Sequence, residues 1–239
     1  MMKNEITRRN PLKLMGYDAE DILNPGDFGA ITARAGVGKT AFLVQLALDK
    51  LLRNLNVLHI SLGEPVEKVC LWYEEVFRNL AFDCNIKYLD PFWDAILPNR
   101  FIMTFKAESF SAERLQERLT DLTEQDIFFP RMMLIDGLFF DENTKAVLVD
   151  LKKIANELGI GVWFSVRTHR HESPRTDSLP PVMNQVADLF DVVLQLQPEG
   201  KDIFVRALKG APRKPAGELI LDPATLLVRN PVKQAVSCA

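Results

Sequence analysis

Cysteine, long apolar runs and low-complexity stretches are all scarce in this 239-residue chain, and each scarcity excludes a class of protein. The three cysteines are Cys70, Cys84 and Cys238. They form no C-x-x-C pair and have no histidine at metal-ligand spacing, so we expect neither a disulfide framework nor a zinc site. An odd number of scattered thiols is typical of a reducing compartment, which predicts a cytoplasmic protein.

No stretch of the sequence approaches the roughly 18 to 20 consecutive apolar residues that a membrane span needs. The basic start of the chain, residues 1–10, leads into no apolar run of the kind found in signal peptides. No Gly/Ser-rich linker and no internal repeat divides the sequence. We therefore expect no membrane association and a single domain at 25–230, with a lead-in segment at 1–24 and a tail at 231–239.

The net charge of −3 conceals a separation of charge along the chain. Acidic residues outnumber basic ones across residues 64–150, whereas basic residues outnumber acidic ones across residues 201–239. Three interpretations fit this asymmetry: nucleic-acid binding, head-to-tail packing of one subunit's basic edge on its neighbour's acidic edge, or solvated faces that happen to segregate. At the level of sequence all three stay open.

The most informative stretch lies near the start of the chain and matches the phosphate-binding P-loop pattern G-x-x-x-x-G-K-S/T. Residues 33–40 read ARAGVGKT, which fits every defining position except the first, where Ala33 replaces glycine. A phosphate chain is bound by backbone N–H groups that converge on it, so small residues are needed here. The predicted phosphate-binding residues are Ala33, Arg34, Ala35, Gly36, Val37, Gly38, Lys39, Thr40 and Ala41.

The flanking sequence supports the P-loop interpretation. Residues 28–32 form a short apolar run suited to a buried strand, and residues 41–52 carry apolar residues at helical spacing. The positive end of that helix would face the phosphates. Lys39 is placed to reach the β- and γ-phosphate oxygens, and the Thr40 hydroxyl is a suitable ligand for Mg²⁺.

A second motif follows about a hundred residues later. Residues 132–135 are apolar and lead directly into Asp136. This is the Walker B pattern, in which a buried strand delivers a carboxylate beside the P-loop and near Mg²⁺. Because two βα units are predicted between the motifs, we expect Asp136 to join Thr40 as a metal ligand.

Apolar runs typical of strands alternate with helical periodicity along most of the chain. Strands are predicted at 28–32, 56–62, 101–105, 132–136 and 161–166, and helices at 41–52, 65–80, 111–122 and 143–158. After a short helix near 182–189, four further strands are predicted at 191–196, 202–208, 217–221 and 225–229. The pattern predicts an α/β fold with a mostly parallel central sheet flanked by helices, and with antiparallel strands at its C-terminal end.

Two segments depart from this alternation. Residues 82–100 are rich in aromatic side chains, and either a satellite core or a partner surface would explain them. Residues 167–181 are polar and contain proline, which predicts a mobile loop on the ligand side of the sheet. The arginines of this loop leave nucleic-acid contact open, although no aromatic residue is available there to stack on bases. His169 and His171 are two residues apart, which argues against a metal site.

The order of these motifs resembles the RecA-like P-loop ATPase core and is most similar to the DnaB replicative-helicase core and KaiC-type ATPases. The resemblance covers residues 25–229. Besides the P-loop, it is carried by residues 59–64 (HISLGE), 185–188 (QVAD), 191–194 (DVVL), 206–212 (RALKGAP) and 221–223 (LDP). It implies ATP and Mg²⁺ as ligands, ATP hydrolysis, and a homo-oligomer with ATP at the boundary between subunits.

The resemblance also assigns roles to individual residues. It implies that Lys39 and Asp136 act in catalysis and that Glu64 is the base for the attacking water. Gly63 stands at the position where the family has its catalytic glutamate, so Glu64 is displaced by one residue. Val166 stands where the helicase relatives carry a polar sensor, which implies a weaker or differently built coupling between the γ-phosphate and the following loop.

Two basic residues near the C-terminus match the family's intersubunit contacts. In RecA-like families, basic residues of a neighbour's C-terminal hairpin approach the γ-phosphate. The matching positions are Arg206 and Lys209, which strand parity places on opposite faces. The resemblance thus implies that they complete the site of an adjacent subunit, while the alternative is that they are ordinary solvated strand charges.

We expect a lone core without the N-terminal domain of the helicase relatives, and hence no processive replicative helicase. The favoured function is slow Mg²⁺-dependent ATP hydrolysis that regulates or assembles a protein partner. One alternative is a nucleotide-dependent binding module that does not hydrolyse ATP. Another is a nucleic-acid motor or an accessory protein of recombination or replication. A small-molecule P-loop kinase is disfavoured, because the antiparallel C-terminal strands do not fit it.

Overall fold

The computed structural model describes residues 6–18, 22–86, 89–168 and 178–231. The strands in these ranges are β1 (Phe28–Ala33), β2 (Val57–Ser61), β3 (Arg100–Thr104), β4 (Met132–Asp136), β5 (Gly161–Arg167), β6 (Val192–Glu199), β7 (Asp202–Lys209), β8 (Leu219–Leu221) and β9 (Val228–Arg229). The helices are α1 (Pro11–Met15), α2 (Lys39–Leu52), α3 (Val66–Asp83), α4 (Asp90–Ile96), α5 (Ala112–Glu124) and α6 (Thr144–Leu158).

These strands form one sheet in the order β3-β2-β4-β5-β1-β6-β7-β8-β9. Neighbours from β3 to β6 pair in parallel. From β6 to β9 the pairing is antiparallel. The predicted α/β class, with a mostly parallel sheet between helices and antiparallel C-terminal strands, is therefore confirmed.

The central strands are buried on both faces, which explains their continuous apolar runs. Ile31 and Leu134 belong to one core cluster, which they share with buried residues of α2 and α3. Ala30 and Ile135, the preceding or following residues on the same strands, belong to a second cluster with residues of α5 and α6. Successive side chains of a strand alternate between faces, so each apolar strand supplies both cores.

Helix α5 shows how sequence signals set a boundary. The Ser111 side chain accepts a hydrogen bond from the backbone N–H of Arg114 at 3.2 Å and caps the helix N-terminus. Leu115, Leu119 and Leu122 are buried, as their helical spacing predicts. The predicted cap and buried face are both confirmed.

The structure differs from the sequence prediction in several connecting segments. Part of 82–100 is helical, because α3 extends through Asp83 and α4 follows. The Trp93 ring lies 5.2 Å from the Phe77 ring and packs against the core cluster that contains Ile31 and Leu134. The short helix expected near 182–189 is replaced by 3₁₀ turns at Pro181–Met183 and Ala187–Leu189. The strand expected at 225–229 is shortened to β9 because a turn closed by Leu226 N–H on Asp222 O, at 2.7 Å, precedes it.

The lead-in segment contains a helix that its sequence did not predict. Helix α1 is only five residues long and begins at the N-cap Asn10. Met15 is buried, and its carbonyl accepts a hydrogen bond from the Ala216 N–H at 3.1 Å. The Tyr17 hydroxyl donates to Gly210 O at 2.8 Å, and burial raises the pKa of this phenol to about 12. The lead-in thus packs against the segment that links β7 and β8.

Some predictions fall outside the described residues. They include the histidines of the polar loop, His169 and His171, together with Cys238 and nearly all of the tail. Among the helices of the described ranges, none has the length and apolar character that crossing a membrane requires.

Candidate nucleotide-binding site

The segment that matches the P-loop pattern, residues 33–40, connects the end of β1 to the start of α2, as the sequence predicts. Ala33 ends the strand and is buried, residues 34–36 are exposed, residues 37–40 are half-buried, and Ala41 is buried in α2. The loop between the strand end and the helix N-terminus is therefore accessible to solvent at residues 34–36. Backbone N–H groups and the positive end of α2 are available there to an anion.

Two glycines allow the loop to turn. Gly36 has φ 76° and Gly38 has φ 104°, both in the left-handed region that favours glycine. A Cβ atom built on Gly38 would lie 2.6 Å from Leu221 Cδ2, whereas one built on Gly36 would meet nothing within 4 Å. Gly38 is therefore required by backbone conformation and by contact with β8, and Gly36 by conformation alone.

The Lys39 side chain folds back across the loop. Its Nζ donates to Ala33 O at 3.1 Å and to Arg34 O at 2.9 Å. Burial lowers the pKa of this ammonium, the charge of Asp136 acts to raise it, and the charge of Arg167 acts to lower it. The ammonium therefore lies inside the loop, where phosphate oxygens would replace the carbonyls as partners.

Asp136 and Thr40, far apart in sequence, are joined by a hydrogen bond. The Thr40 hydroxyl donates to Asp136 Oδ2 at 2.6 Å, which joins the start of α2 to the end of β4. A hydroxyl and a carboxylate are both ligands that Mg²⁺ accepts, and Mg²⁺ commonly takes only one or two carboxylates together with phosphate oxygens and water. The donor set at this point thus fits Mg²⁺.

Ser165 is a site residue that the sequence reasoning missed. Its hydroxyl donates to Asp136 Oδ1 and accepts a hydrogen bond from the Gly137 N–H at 3.0 Å. Both carboxylate oxygens of Asp136 are consequently oriented by hydroxyl groups. A lone serine within the otherwise apolar run GVWFSV was the available signal, because a buried hydroxyl needs a partner.

The neighbouring Val166 is fully buried on the opposite face. The position at which the resemblance would place a polar sensor therefore points into the core on the other face of the sheet. Within this site, the polar group that strand β5 contributes to Asp136 is the hydroxyl of Ser165.

A buried histidine lies behind the carboxylate. His59 of β2 is fully buried, and its Nδ1 is 3.1 Å from the Tyr73 hydroxyl. Burial lowers the pKa of His59 to about 4, while the charge of Asp136 acts to raise it and that of Arg100 to lower it. At neutral pH the imidazole is therefore uncharged and adds no positive charge to the site.

Glu64 is placed in an exposed turn after β2. Its backbone N–H donates to Ser61 Oγ at 3.1 Å, and its carboxylate forms an ion pair with Lys68 of α3 at 2.7 Å. Gly63 is also exposed, and a Cβ built on Gly137 would lie 3.5 Å from the Gly63 nitrogen. The structure thus brings Gly63 next to the Asp136 segment and pairs the Glu64 side chain with Lys68.

Arg206 and Lys209 form hydrogen bonds or ion pairs with other residues of the same chain. Arg206 forms an ion pair with Glu199 at 2.9 Å and donates to Gln197 Oε1 at 2.9 Å, while Lys209 Nζ donates to Ala187 O at 2.8 Å. In the described part of the chain, the hydrogen-bond and ion-pair partners of these two side chains are therefore not P-loop residues. Their predicted action on a neighbouring subunit stays a prediction.

The prediction that Arg206 and Lys209 lie on opposite faces of the sheet is wrong. The β6–β7 register shifts between Val193 and Leu194, so that Lys209 pairs with Val193 and Arg206 pairs with Gln195. Because Val193 and Gln195 are two residues apart, they point to the same side of the sheet, and so do their partners. A β-bulge thus places Arg206 and Lys209 on one face.

No model of a known protein family matches this chain, and no curated protein sequence matches it either. The chemistry available to the site therefore follows from its own residues. The exposed backbone N–H groups of the loop, one lysine, and a hydroxyl hydrogen-bonded to a carboxylate can bind a phosphate chain together with a divalent cation.

Proposed function

We propose that this protein has a RecA-like P-loop ATPase core, binds MgATP, and hydrolyses it slowly to regulate or assemble a protein partner. The observation that carries the proposal is the 2.6 Å hydrogen bond between Thr40, in the first turn of α2, and Asp136, at the end of β4. A P-loop hydroxyl bonded to a carboxylate from a separate strand is the arrangement that nucleotide-bound Mg²⁺ uses in P-loop NTPases.

The sheet supports the RecA-like part of the proposal. The P-loop follows β1 in the centre of the sheet, and the carboxylate follows β4 on the far side of β5. In open α/β sheets, ligands bind beyond the carboxyl ends of the parallel strands. The antiparallel strands β7 to β9 extend the sheet past β6, in agreement with the C-terminal strands of the family it resembles.

Each side chain then has a defined task. Lys39 would exchange its two carbonyl partners for β- and γ-phosphate oxygens, and Thr40 and Asp136 would hold Mg²⁺, which neutralises charge on those oxygens. Ser165 would keep the Asp136 carboxylate in the orientation that faces Thr40. The loop amides would bind the remaining phosphate oxygens.

Slow turnover follows from the position of Glu64. A general base must lie within hydrogen-bond reach of the water that it activates. The Glu64 carboxylate is instead exposed and paired with Lys68. Because Glu64 stands one residue beyond the position of the family's catalytic glutamate and its carboxylate is exposed, we propose a low rate of hydrolysis.

The same ion pair favours a second candidate function. If Glu64 stays with Lys68, the protein is a nucleotide-dependent binding module that holds MgATP without hydrolysing it. Glu64→Gln separates the two: a rate lowered by the variant supports hydrolysis through Glu64, whereas an unchanged rate removes Glu64 from the mechanism. Measuring the rate with and without single-stranded DNA would also reveal a nucleic-acid motor.

Calorimetry with MgATP tests the central proposal. We expect Lys39→Ala to lower the affinity strongly, because charge-assisted bonds to phosphate are lost. Lys153→Ala is the matched control, since Lys153 is an exposed lysine of α6 that pairs with Asp150. Equal affinity of the wild type and Lys39→Ala would refute the proposal. Asp136→Asn should reduce any hydrolysis further.

A further inference from the structure

Arg167 ends β5 beside the P-loop. β5 lies between β1, which leads into the loop, and β4, which ends at Asp136. Arg167 is the register partner of Ala33, and the next N–H, of Thr168, donates to Ala33 O at 3.0 Å. That carbonyl also accepts the hydrogen bond from Lys39 Nζ at 3.1 Å. A single oxygen atom therefore links the Lys39 ammonium to the backbone that carries Arg167.

The Arg167 side chain projects from the face of the sheet that carries the site. Side chains two residues apart on a strand share a face, so Arg167 is on the side of Ser165, whose hydroxyl binds Asp136. It lies about 7 Å further toward the open end of the strand, given a rise of about 3.3 Å per residue. Arg167 is exposed, and within the described part of the chain nothing forms a hydrogen bond or an ion pair with its guanidinium.

The charges near the loop are not balanced within the described residues. Lys39 and Arg167 are both cationic and close enough for Arg167 to disfavour the charged form of Lys39. The nearby carboxylate of Asp136 already accepts hydrogen bonds on both oxygens. A polyanion placed between the two cations would neutralise both, and the fork of an arginine side chain suits phosphate oxygens.

We infer that Arg167 is an in-chain contact to the γ-phosphate of ATP, which lets a single subunit discriminate ATP from ADP. The inference rests on the proposed function. Thr40 and Asp136 would hold the Mg²⁺ of bound MgATP, which neutralises charge on the terminal phosphates. A terminal phosphate near the P-loop and Asp136 would then be within reach of the end of β5, because β5 lies between β1 and β4. This role differs from the contact expected of Arg206, which would come from a neighbouring subunit and which here is paired with Glu199.

Calorimetric affinities for MgATP and MgADP test this assignment. We expect Arg167→Ala to weaken MgATP binding about ten- to hundredfold, the usual worth of a hydrogen bond to a charged group. MgADP binding should change by less than about twofold, because the contacted phosphate is absent. Arg167→Lys should recover part of the loss. Arg131→Ala is the matched control, since Arg131 is an exposed arginine at the opposite end of β4 and should leave both affinities unchanged.

The outcomes separate this inference from the proposed function. Equal losses for the two nucleotides in Arg167→Ala, or no loss at all, would overturn the γ-phosphate assignment. The proposed function would stand in that case if Lys39→Ala still lowers the MgATP affinity strongly. A wild-type protein that binds neither nucleotide would overturn both. A selective loss of MgATP affinity, with partial rescue by lysine, is the result that the arrangement of β1, β4 and β5 requires.

Discussion

Leu221 of β8 packs directly against Gly38 of the P-loop. A Cβ atom on Gly38 would lie 2.6 Å from Leu221 Cδ2, closer than carbon atoms can approach. Strand β8, near the C-terminal end of the sheet, is therefore in contact with the P-loop. The side chain of Gln45 strengthens this link, because it donates to Leu226 O at 2.8 Å and accepts from the Val228 N–H at 3.0 Å.

Gly38→Ala should lower the free energy of unfolding by about 1–3 kcal/mol more than Gly36→Ala. Both substitutions place alanine at a positive φ, which costs roughly 1–2 kcal/mol, but only Gly38→Ala meets Leu221. Urea unfolding of both variants measures the difference. Adding Leu221→Ala should make the two glycine substitutions nearly equivalent, and a difference that persists would contradict the contact.

Ser165→Ala should impair hydrolysis through Asp136. The substitution leaves Asp136 Oδ1 and the Gly137 N–H without their partner, which costs about 1–3 kcal/mol of stability. We expect a turnover about tenfold lower and a higher Mg²⁺ concentration for half-maximal rate. Titration of Mg²⁺ at saturating ATP measures both. Ser165→Thr retains the hydroxyl and should restore the Mg²⁺ dependence, and Ser109→Ala, whose hydroxyl bonds only Lys106 O, is the control.

Acidification should destabilise the fold through His59. An unfolded histidine has a pKa near 6.5, whereas burial lowers the pKa of His59 to about 4. Between these values the unfolded chain binds a proton that the folded chain does not, so the free energy of unfolding falls as pH falls. The contribution is about 2 kcal/mol between pH 7 and pH 5.

Denaturant unfolding across this pH range measures the effect. His59→Gln removes the titrating group and should flatten the dependence of the free energy of unfolding on pH. Tyr73→Phe removes only the hydroxyl partner of His59 and should keep the slope. The same slope in the wild type and His59→Gln would exclude His59 as its source.

Mixed subunits test the predicted contact between subunits. Arg206→Ala/Lys209→Ala and Lys39→Ala should each be inactive, and a mixture should recover part of the hydrolysis, because an intact P-loop could then face intact basic residues. A cation acting only in the transition state should affect turnover far more than ATP affinity. Full activity of the double variant alone would rule out the contact.

The strand, loop and helix at 28–52 and the strand that ends at Asp136 were predictable because each depends on a local pattern. Ser165 was not, since its role depends on how β4 and β5 pair, which no short stretch of sequence encodes. Glu64 shows a different limit. The displacement of Glu64 by one residue was visible in the sequence, but its ion pair with Lys68, in the first turn of α3, was not.

The face of the sheet on which Arg206 and Lys209 lie could not be predicted from the sequence. Strand parity assumed a regular ladder, and the bulge opposite Val193 and Leu194 moved Lys209 to the face of Arg206. Helix α1 was missed because five residues are too few to show helical periodicity. Its position is set by distant contacts with the segment after β7.

Those contacts have a practical consequence for shortened versions of the protein. The side chains of Ile6, Leu12 and Met15 are buried in the core cluster that contains Ile31 and Leu134. The Tyr17 hydroxyl is hydrogen-bonded to Gly210 O. A chain that starts at residue 25 would uncover an apolar strip along α2 and release the β7–β8 connection. Such a truncation should aggregate more readily and be cut by proteases after Lys209 sooner than the full chain.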